Sequence, residues 1–554
     1  MRVLSGVVLL VLISGGAQAQ QQGRARLSER DIADITKLVM LEDRRDYDEA
    51  ELSRLLRSPN PEIRRRAALS IARINDPRGR ALLHGARQDA DTSVAATVIF
   101  GIGQLRDSAA VPLFDSLLTS PTTPVTVAFE AARALGKIQT PEARSALAKY
   151  MSTVREDDRT RAIIGEALFS IGRNPTRGDI APIARFAISE NEQTRWHATW
   201  GLFRPRNPAA VPILMQLVRD DPSGEVRSWA IRGLTAPMVD SSAVSRTAAR
   251  EVLHAAVKDT DRRVRTEAVR ALATWHDSAS FDVLVAALND PDTWISVSAG
   301  EALASHRGRA DDAVAALTAA SASGRPSALR IVAVQSLLAL APQKAAEPAE
   351  ALASDTLPLS QQTARTVAAR LNPPAADAQR RPAGGGNRPS RQRPLDTGRT
   401  EADYRRIVER WVVPDYSGAP RPRVEWTMPK GVVELELYPG DAPLAVEDFM
   451  QVLESGAIIG TEFSRVVPNF VAQQRGIYND HELRDEVTRL GLTRGNLSWA
   501  SAGLDTGRPG YTLGSTPQPH NEGDFTTLGR VVRGLDVVDH IELGDRIVAA
   551  RRIR

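Results

Sequence analysis

A segment of roughly thirty residues recurs between residues 28 and 372, and this repetition constrains the fold more than any other feature of the chain. Its clearest copies begin on Ile or Val, continue through small and basic residues and end on Leu: Ile63–Leu69, Val226–Leu234, Val264–Leu272 and Ile295–Leu303. Ile295 follows Val264 by 31 residues, as Val94 follows Ile63. A period in this range is typical of solenoids, in which each repeat stacks on its neighbours.

The turn before each copy predicts that one repeat contains two helices. It carries Asp, Asn or Pro, which favour helix starts, as in Asn60-Pro61, Asp221-Pro222 and Asp259-Thr260-Asp261. A second helical pattern precedes the turn, for example in Asp282–Asn289. The pattern resembles HEAT repeats, of which we count about nine or ten, and an unrelated helical bundle is the alternative.

The HEAT resemblance implies protein partners along the solenoid surface, by analogy with the fold. Four tryptophans in this region are either binding anchors or core residues, and aromatic side chains at helical spacing more often belong to the core: Trp196, Trp200, Trp229 and Trp294. The chain has 71 basic and 67 acidic residues. This small excess of positive charge does not indicate a nucleic-acid partner.

Residues 1–19 have the pattern of a secretory signal peptide. A basic residue precedes an apolar run from Val7 to Ile13, and Ala17-Gln18-Ala19 forms a small-x-small cleavage motif. The apolar run is too short to cross a bilayer as a helix, and charges interrupt every later apolar run. We expect a mature protein that starts near Gln20, without a membrane span, in the periplasm or outside the cell.

Residues 373–399 are rich in Pro, Gly and Arg, and Leu395 is their only large apolar residue. Such a segment cannot build a core, so it predicts a linker between a helical domain at 28–372 and a second domain at 400–554. The chain contains no cysteine. Disulfides and thiol chemistry are therefore excluded.

Beyond residue 423 the apolar pattern changes from a helical period to a period of two. Val433, Leu435 and Leu437 alternate with polar residues, which predicts a half-buried strand. The sequence Asp441-Ala442-Pro443 then predicts the start of an amphipathic helix.

The stretch Phe463–Gln473 predicts two short strands, because β-forming residues flank a break at Pro468-Asn469. Across such a hairpin Arg465, Phe470 and Gln473 share one surface. An arginine beside an apolar side chain suits a neutral, partly apolar substrate that needs one strong hydrogen-bond donor.

This stretch resembles the signature of the cyclophilin-type peptidyl-prolyl isomerases, roughly F-H-R-V-x-P-x-F-x-x-Q-G-G. Ser464 replaces the usual His, and Gln474-Arg475 replaces Gly-Gly. Two later blocks continue the resemblance, Gly495–Gly507 and Thr516–Val531, so that it covers about residues 423–550. It implies a closed antiparallel β-barrel with two helices, and hence a multidomain chain in which an all-α HEAT solenoid precedes a cyclophilin-like barrel.

The resemblance also implies which residues carry the site. The catalytic residues would be Arg465, Phe470 and Gln473. The substrate-binding residues would be Val471, Ala500, Ser501, Ala502, Tyr511, Thr512, His520 and Asn521. Three further positions depart from the family: Gly510 stands for a Gln that contacts substrate, Thr512 for a Phe and Asn521 for a Leu of the proline pocket.

The chemistry that the resemblance implies is rotation about an X–Pro amide, whose barrier is about 18–20 kcal/mol. The twisted state has a prolyl nitrogen with a free lone pair. A guanidinium donor near that nitrogen would favour the twisted state over both planar states, and by the resemblance Arg465 has this role. No metal or cofactor is needed.

Two functions follow. The first is an exported isomerase that acts on proline-containing peptides or unfolded client proteins, which Arg465, Phe470 and Gln473 favour. The second is a catalytically weak or inactive scaffold that binds peptides or proteins, which the changes at Thr512 and Asn521 favour.

The signal-peptide motif predicts cleavage between Ala19 and Gln20. Mass spectrometry of the exported protein should therefore find Gln20 at the N-terminus. An intact Met1 on exported protein would contradict this prediction.

Overall fold

The computed structural model of the chain describes residues 26–174, 177–372, 395–474, 476–477, 483–501 and 503–554. The predicted signal peptide at 1–19 and residues 373–394 of the predicted linker lie outside the described residues. Within the described ranges, no helix has the length and apolarity required to cross a bilayer.

Paired helices fill the region in which the sequence predicts a solenoid. Among the described residues, helix α1 (Glu29–Arg44) is followed by ten pairs, each with a first and a second helix. The first helices are α2 (Glu49–Leu55), α4 (Gly79–Ala86), α6 (Val111–Thr119), α8 (Pro141–Thr153), α10 (Ala181–Ala184), α12 (Val211–Asp220), α15 (Arg246–Ala256), α17 (Ser278–Ala287), α19 (Ala310–Ala320) and α21 (Ala346–Ala353). The second helices are α3 (Pro61–Ile74), α5 (Thr92–Gln104), α7 (Val125–Ile138), α9 (Arg161–Arg173), α11 (Glu192–Phe203), α13 (Gly224–Ile231), α16 (Arg262–Leu272), α18 (Thr293–Leu303), α20 (Ser327–Leu340) and α22 (Pro358–Leu371). The short helix α14 (Ala236–Asp240) lies between two pairs, and 3-10 turns occupy Ser108–Ala110, Pro208–Ala210, Arg307–Arg309 and Pro342–Ala345.

The turns within four of the pairs confirm the predicted helix caps, whereas Ser223 and not Asp221 caps α13. The side chains of four N-cap residues accept a backbone N–H of the first helical turn: Asn60, Asp91, Asp261 and Asp292. Other turn carboxylates bind arginines of the preceding second helix, so that Arg64 Nε lies 2.7 Å from Asp89 Oδ2 and Arg227 Nε 2.9 Å from Asp259 Oδ2. These ion pairs link successive repeats.

The second helices pack on one another along the chain, and with α1 they form a continuous layer, here called the inner layer. Small residues permit this close approach, because a Cβ added to Gly103 would lie 2.7 Å from the Cβ of Ala134 on the next helix. The core interpretation of the tryptophans is confirmed, since all four are buried: Trp196, Trp200, Trp229 and Trp294.

A helical segment joins the two domains. It comprises α23 (Glu401–Ile407), a π-helical turn (Val408–Val412) and α24 (Val413–Tyr416). The Tyr404 hydroxyl donates to Asp43 of α1 at 2.9 Å. The Trp411 indole N–H donates at 2.6 Å to Glu447 of the barrel. The segment therefore contacts both domains.

In the described part of the second domain, eight antiparallel strands form one sheet in the order β3-β4-β6-β5-β7-β2-β1-β8. Their bounds are β1 (Arg423–Met428), β2 (Gly431–Leu437), β3 (Phe463–Val467), β4 (Val471–Gln474), β5 (Asn496–Ala500), β6 (Arg508–Gly514), β7 (Thr527–Arg533) and β8 (Ala549–Arg552). Helix α25 (Pro443–Glu454) packs against the sheet, and α26 (Leu535–Asp539) is a single short turn. The buried residues of β2 alternate as predicted.

The predicted closure of the barrel is wrong, because the edge strands β3 and β8 do not pair with each other. Just before each of them, a single bridge joins Glu462 to Arg546. Backbone hydrogen bonds flank this bridge, for example from Phe463 N–H to the Asp545 carbonyl at 2.9 Å. The chain then diverges, since β8 pairs with β1 instead of β3.

The inner layer of the solenoid contacts the barrel, mainly through arginines that donate to loop carbonyls. The pairs are Arg66 with Gly440, Arg73 with Asp441 and Val487, Arg133 with Arg489, Arg173 with Pro519, Arg232 with Asn469, Arg262 with Asp539, and Arg270 with Pro468. The surface expected to bind other proteins therefore binds the chain's own second domain along this layer.

This interface predicts that the domains stay together without the linker. After cleavage at a protease site introduced in 373–394, both pieces should co-elute in gel filtration. Arg173→Ala should weaken their association by about 3–5 kcal/mol, because Glu522, 2.9 Å from the buried Arg173 guanidinium, loses this ionic partner. Arg195→Ala, which removes an ion pair to Asp221 within the solenoid, is the matched control. Separate elution of the wild-type pieces at micromolar concentration would contradict the prediction.

Candidate functional site

The β3–β4 hairpin brings the predicted arginine and glutamine together. Arg465 and Gln473 are opposite residues in the strand pair, and Arg465 Nη1 lies 3.4 Å from Gln473 Oε1. Arg465 is exposed, and it forms no ion pair with any described Asp or Glu. Its guanidinium is therefore available as a donor to a ligand at this surface.

The turn of this hairpin places Phe470 beside a second loop. Asn469 turns the chain with a φ of 53°, a conformation that Asn tolerates better than most residues. The Phe470 ring stacks on His520, with 5.8 Å between the ring centroids and 20° between the planes. Both rings are half-buried. The surface between these two loops, which the two rings border, is here called the cleft.

The two substituted pocket positions carry polar side chains that are bonded within the barrel. Thr512 pairs with Gln473 in the sheet, and its hydroxyl lies 2.7 Å from that of Ser498. Asn521 Nδ2 donates to Gln518 Oε1 at 2.9 Å. Both side chains are half-buried. These two positions, here called the floor of the cleft, are therefore more polar than the apolar residues that the resemblance leads us to expect there.

The remaining predicted contact residues lie at different depths. Val471 is buried in β4, and Ala500 is half-buried at the end of β5. The Ser501 hydroxyl donates to the Gly503 carbonyl and so holds the turn after β5. Ala502 lies outside the described residues.

Tyr511 is predicted to contact substrate, and the structure places its side chain in the barrel core. Its side chain is 0 % exposed and packs in the barrel core, 4.9 Å from the Phe449 ring and 5.7 Å from the Trp499 ring. The reason is strand alternation: Thr512 faces the cleft, so the preceding residue faces the interior.

The solenoid flanks this cleft, which no sequence motif indicates. The hairpin turn is held by Arg232 and Arg270, which donate to the carbonyls of Asn469 and Pro468 at 2.9 and 3.0 Å. The Asn469 side chain also donates to Glu267 at 3.0 Å.

The other loop of the cleft is held in the same way. Arg173 donates to the Pro519 carbonyl at 2.7 Å. Burial lowers the pKa of His520 to about 4, and the nearby guanidinium groups of Arg204, Arg232 and Arg173 add to this shift. His520 is therefore neutral at neutral pH.

Known proteins resemble both parts of the chain. The profile described as cyclophilin type peptidyl-prolyl cis-trans isomerase/CLD matches residues 423–553, and the HEAT repeats profile matches 79–168, 156–235 and 249–338. A peptidyl-prolyl cis-trans isomerase of Helicobacter pylori (strain ATCC 700392 / 26695) is 37% identical over 128 residues, which cover 21% of this chain and 78% of that protein. Peptidyl-prolyl cis-trans isomerase B of Bacillus subtilis (strain 168) is 35% identical over 121 residues, 20% of this chain and 85% of the relative. A peptidyl-prolyl cis-trans isomerase of Synechococcus elongatus is 31% identical over 130 residues, which cover 22% of this chain and 90% of that protein.

The environment of His520 predicts a pH dependence. A histidine with a lowered pKa stabilises the folded state above its ordinary value of 6.5, and this contribution is lost as the pH falls from 6.5 towards 4. His520→Gln should therefore lose less thermal stability than the wild type over that window. The control is His540→Gln, at an exposed histidine. Melting curves that shift in parallel for the wild type and His520→Gln would contradict the prediction.

Proposed function

The chain belongs, through residues 423–553, to the cyclophilin-type peptidyl-prolyl cis-trans isomerases, and on this premise we propose that it isomerises X–Pro bonds of client proteins outside the cytoplasm. One observation carries the catalytic part of the proposal. An arginine without an ion pair among the described residues lies opposite a glutamine, on the hairpin whose turn carries the stacked Phe470.

The proposed mechanism is stabilisation of the twisted amide. Arg465 donates a hydrogen bond to the prolyl nitrogen as its lone pair becomes free, and this bond strengthens as the amide leaves planarity. Phe470 and His520 provide the apolar surface for the pyrrolidine ring. Gln473, which lies 3.4 Å from Arg465 Nη1, orients the guanidinium and bonds the substrate backbone.

The polar floor of the cleft supports weaker binding of the proline ring than an apolar pocket would give. Thr512 and Asn521 replace apolar groups, and each lost burial is worth about 1–3 kcal/mol. The same observation favours the second candidate, a scaffold that binds proline peptides without turning them over. The two candidates share the cleft and differ in whether Arg465 acts on the bound amide.

Export belongs to the same proposal. The pattern of residues 1–19 supports a cleavable signal peptide and a periplasmic or secreted protein. The proposed organisation is a HEAT solenoid at 28–372, a linker at 373–399 and the isomerase domain at 400–554. Proline-containing segments of unfolded proteins are the proposed clients.

The test of catalysis is exchange NMR on a proline peptide with the full chain and its Arg465→Ala variant. We expect the variant to lower turnover by about 10²–10³-fold, as for loss of one donor to developing charge, with a smaller change in peptide affinity. Arg533→Ala, at an exposed arginine of the same domain paired with Glu434, is the control. Equal exchange rates for the wild type and Arg465→Ala would contradict the catalytic role. Peptide binding without exchange would establish the scaffold.

The polar floor gives a separate prediction. Thr512→Phe and Asn521→Leu together should tighten binding of proline peptides with apolar neighbours, by about 1–3 kcal/mol for each restored side chain. Titration calorimetry on the full chain measures this change. Unchanged affinity in a folded double variant would show that these positions do not contact the ring.

A further inference from the structure

A cavity of about 400 Å³ lies between the solenoid and the barrel, beside the loop that carries His520. Its solenoid wall includes Gln104, Arg106 and Lys137, and its barrel wall includes Leu504 and Asp524. Leu504 is 41 % exposed, and the Asp524 side chain is 43 % exposed. The cavity therefore opens to the surface.

Most polar groups of the wall already have partners. The guanidinium of Arg73 binds Glu42 and the carbonyls of Asp441 and Val487. Gln104 Nε2 donates to the Gly523 carbonyl at 2.6 Å. These two side chains therefore have little capacity left for a ligand.

Lys137 and Arg106 differ from the rest of the wall. The Lys137 ammonium is nine-tenths buried, and among the described residues it donates only to Asp524 Oδ1, at 3.1 Å. An ammonium has three N–H donors, so two remain for a ligand. Arg106 is exposed and has no side-chain partner in the described part of the chain. The cavity wall thus holds three cations, Arg73, Arg106 and Lys137, and two carboxylates, Asp485 and Asp524. Among the described residues Lys137 is bonded to only one of these carboxylates, the half-buried Asp524.

The surroundings of Lys137 favour an added anion. Burial lowers the pKa of Lys137 to about 8; the Asp524 carboxylate opposes this shift, whereas Arg173 and Arg106 add to it. A ligand carboxylate bonded to Lys137 in addition to Asp524 would replace hydration that the ammonium has lost and offset the repulsion between the cations.

The position of the cavity indicates the source of that anion. Gly503 in its wall follows Ala500 and Ser501, in the segment that the family resemblance places along the peptide, and Gly523 follows the His520 loop. A peptide whose proline lies on Phe470 and His520 therefore brings its neighbouring residues to the cavity mouth. Leu504 and the half-buried Phe525 provide apolar contact for the stem of a glutamate side chain.

We propose that this cavity is a subsite for the carboxylate of an acidic residue close to the client's proline, bound by Lys137 and Arg106 of the solenoid. The inference rests on the proposed function for the position of the proline. By this inference, the HEAT domain selects client segments that contain an acidic residue. Asp524, at the cavity mouth, competes with the client carboxylate for Lys137.

The test measures the affinity of the full chain, at low salt, for two proline peptides. The peptides are identical except at one position near the proline, which is Glu in one and Gln in the other. The wild type should bind the Glu peptide about tenfold to hundredfold more tightly, as for hydrogen bonds to a charged group. Lys137→Met and the exposed-site variant Arg106→Gln should each reduce this ratio. Asp524→Asn should increase it, because it frees the ammonium. Lys149→Met, at a lysine paired with Asp115 on a first helix, should leave the ratio unchanged.

Three results would overturn the inference. The first is equal affinity of the wild type for both peptides. The second is a ratio of Glu-peptide to Gln-peptide affinity that stays unchanged in both Lys137→Met and Arg106→Gln. The third is a decrease of that ratio in Asp524→Asn. Acetate and phosphate test whether the cavity binds free anions instead of a client carboxylate. If they raise the pKa of Lys137 in an NMR titration while the peptides bind equally, the cavity takes free anions and the client assignment is wrong. Exchange of the Gln peptide by the wild type tests the proposed function separately, so a Glu preference without exchange would support the subsite and contradict catalysis.

Discussion

Buried arginines on the inner layer determine where the barrel lies. Each loses water when the domains meet, and a desolvated guanidinium needs acceptors with good geometry. The carbonyls of the barrel loops supply them, and buried carboxylates supply the remainder: Arg173 bonds the Pro519 carbonyl, Glu522 and Glu166. The partners are backbone groups at fixed positions in loops. The planar guanidinium groups therefore fix the orientation of the barrel on the solenoid as well as the distance between them. The solenoid therefore holds the barrel by its loops.

The same contacts shape the cleft, because its two loops are among those that the solenoid holds. Arg232 and Arg270 bond the turn before Phe470, and Arg173 bonds the residue before His520. The two stacked rings are therefore positioned by a common support outside the barrel. Such a support preorganises the cleft, which favours binding because less loop motion is lost when a ligand arrives. It also means that a ligand at these rings approaches solenoid side chains.

The sequence predicts features governed by local chemistry. Asn60 and Asp261 cap helices as expected, and β2 alternates because one face of the sheet is buried. The hairpin that joins Arg465 to Gln473 follows from its β-formers and its break. The interface between the solenoid and the barrel could not be predicted from the sequence, because a buried arginine such as Arg173 has the same helical spacing as a solvated one. The burial of Tyr511 and the open edge of the sheet could not be predicted for related reasons: a family pattern gives neither which face of a strand is buried nor whether two edges meet.

On the inner layer, buried arginines make structural contacts, whereas the lysine Lys137 belongs to the proposed ligand site. Arg133 contacts Glu130, Glu166 and the Arg489 carbonyl, and its planar group satisfies several acceptors at once. Lys137, one helical turn further along α7, presents a compact charge with a single bonded acceptor among the described residues. Lysine shifts its pKa readily when buried, whereas arginine remains charged. A position that must exchange a protein carboxylate for a ligand carboxylate is better served by the lysine, because fewer fixed bonds are broken when the partner changes.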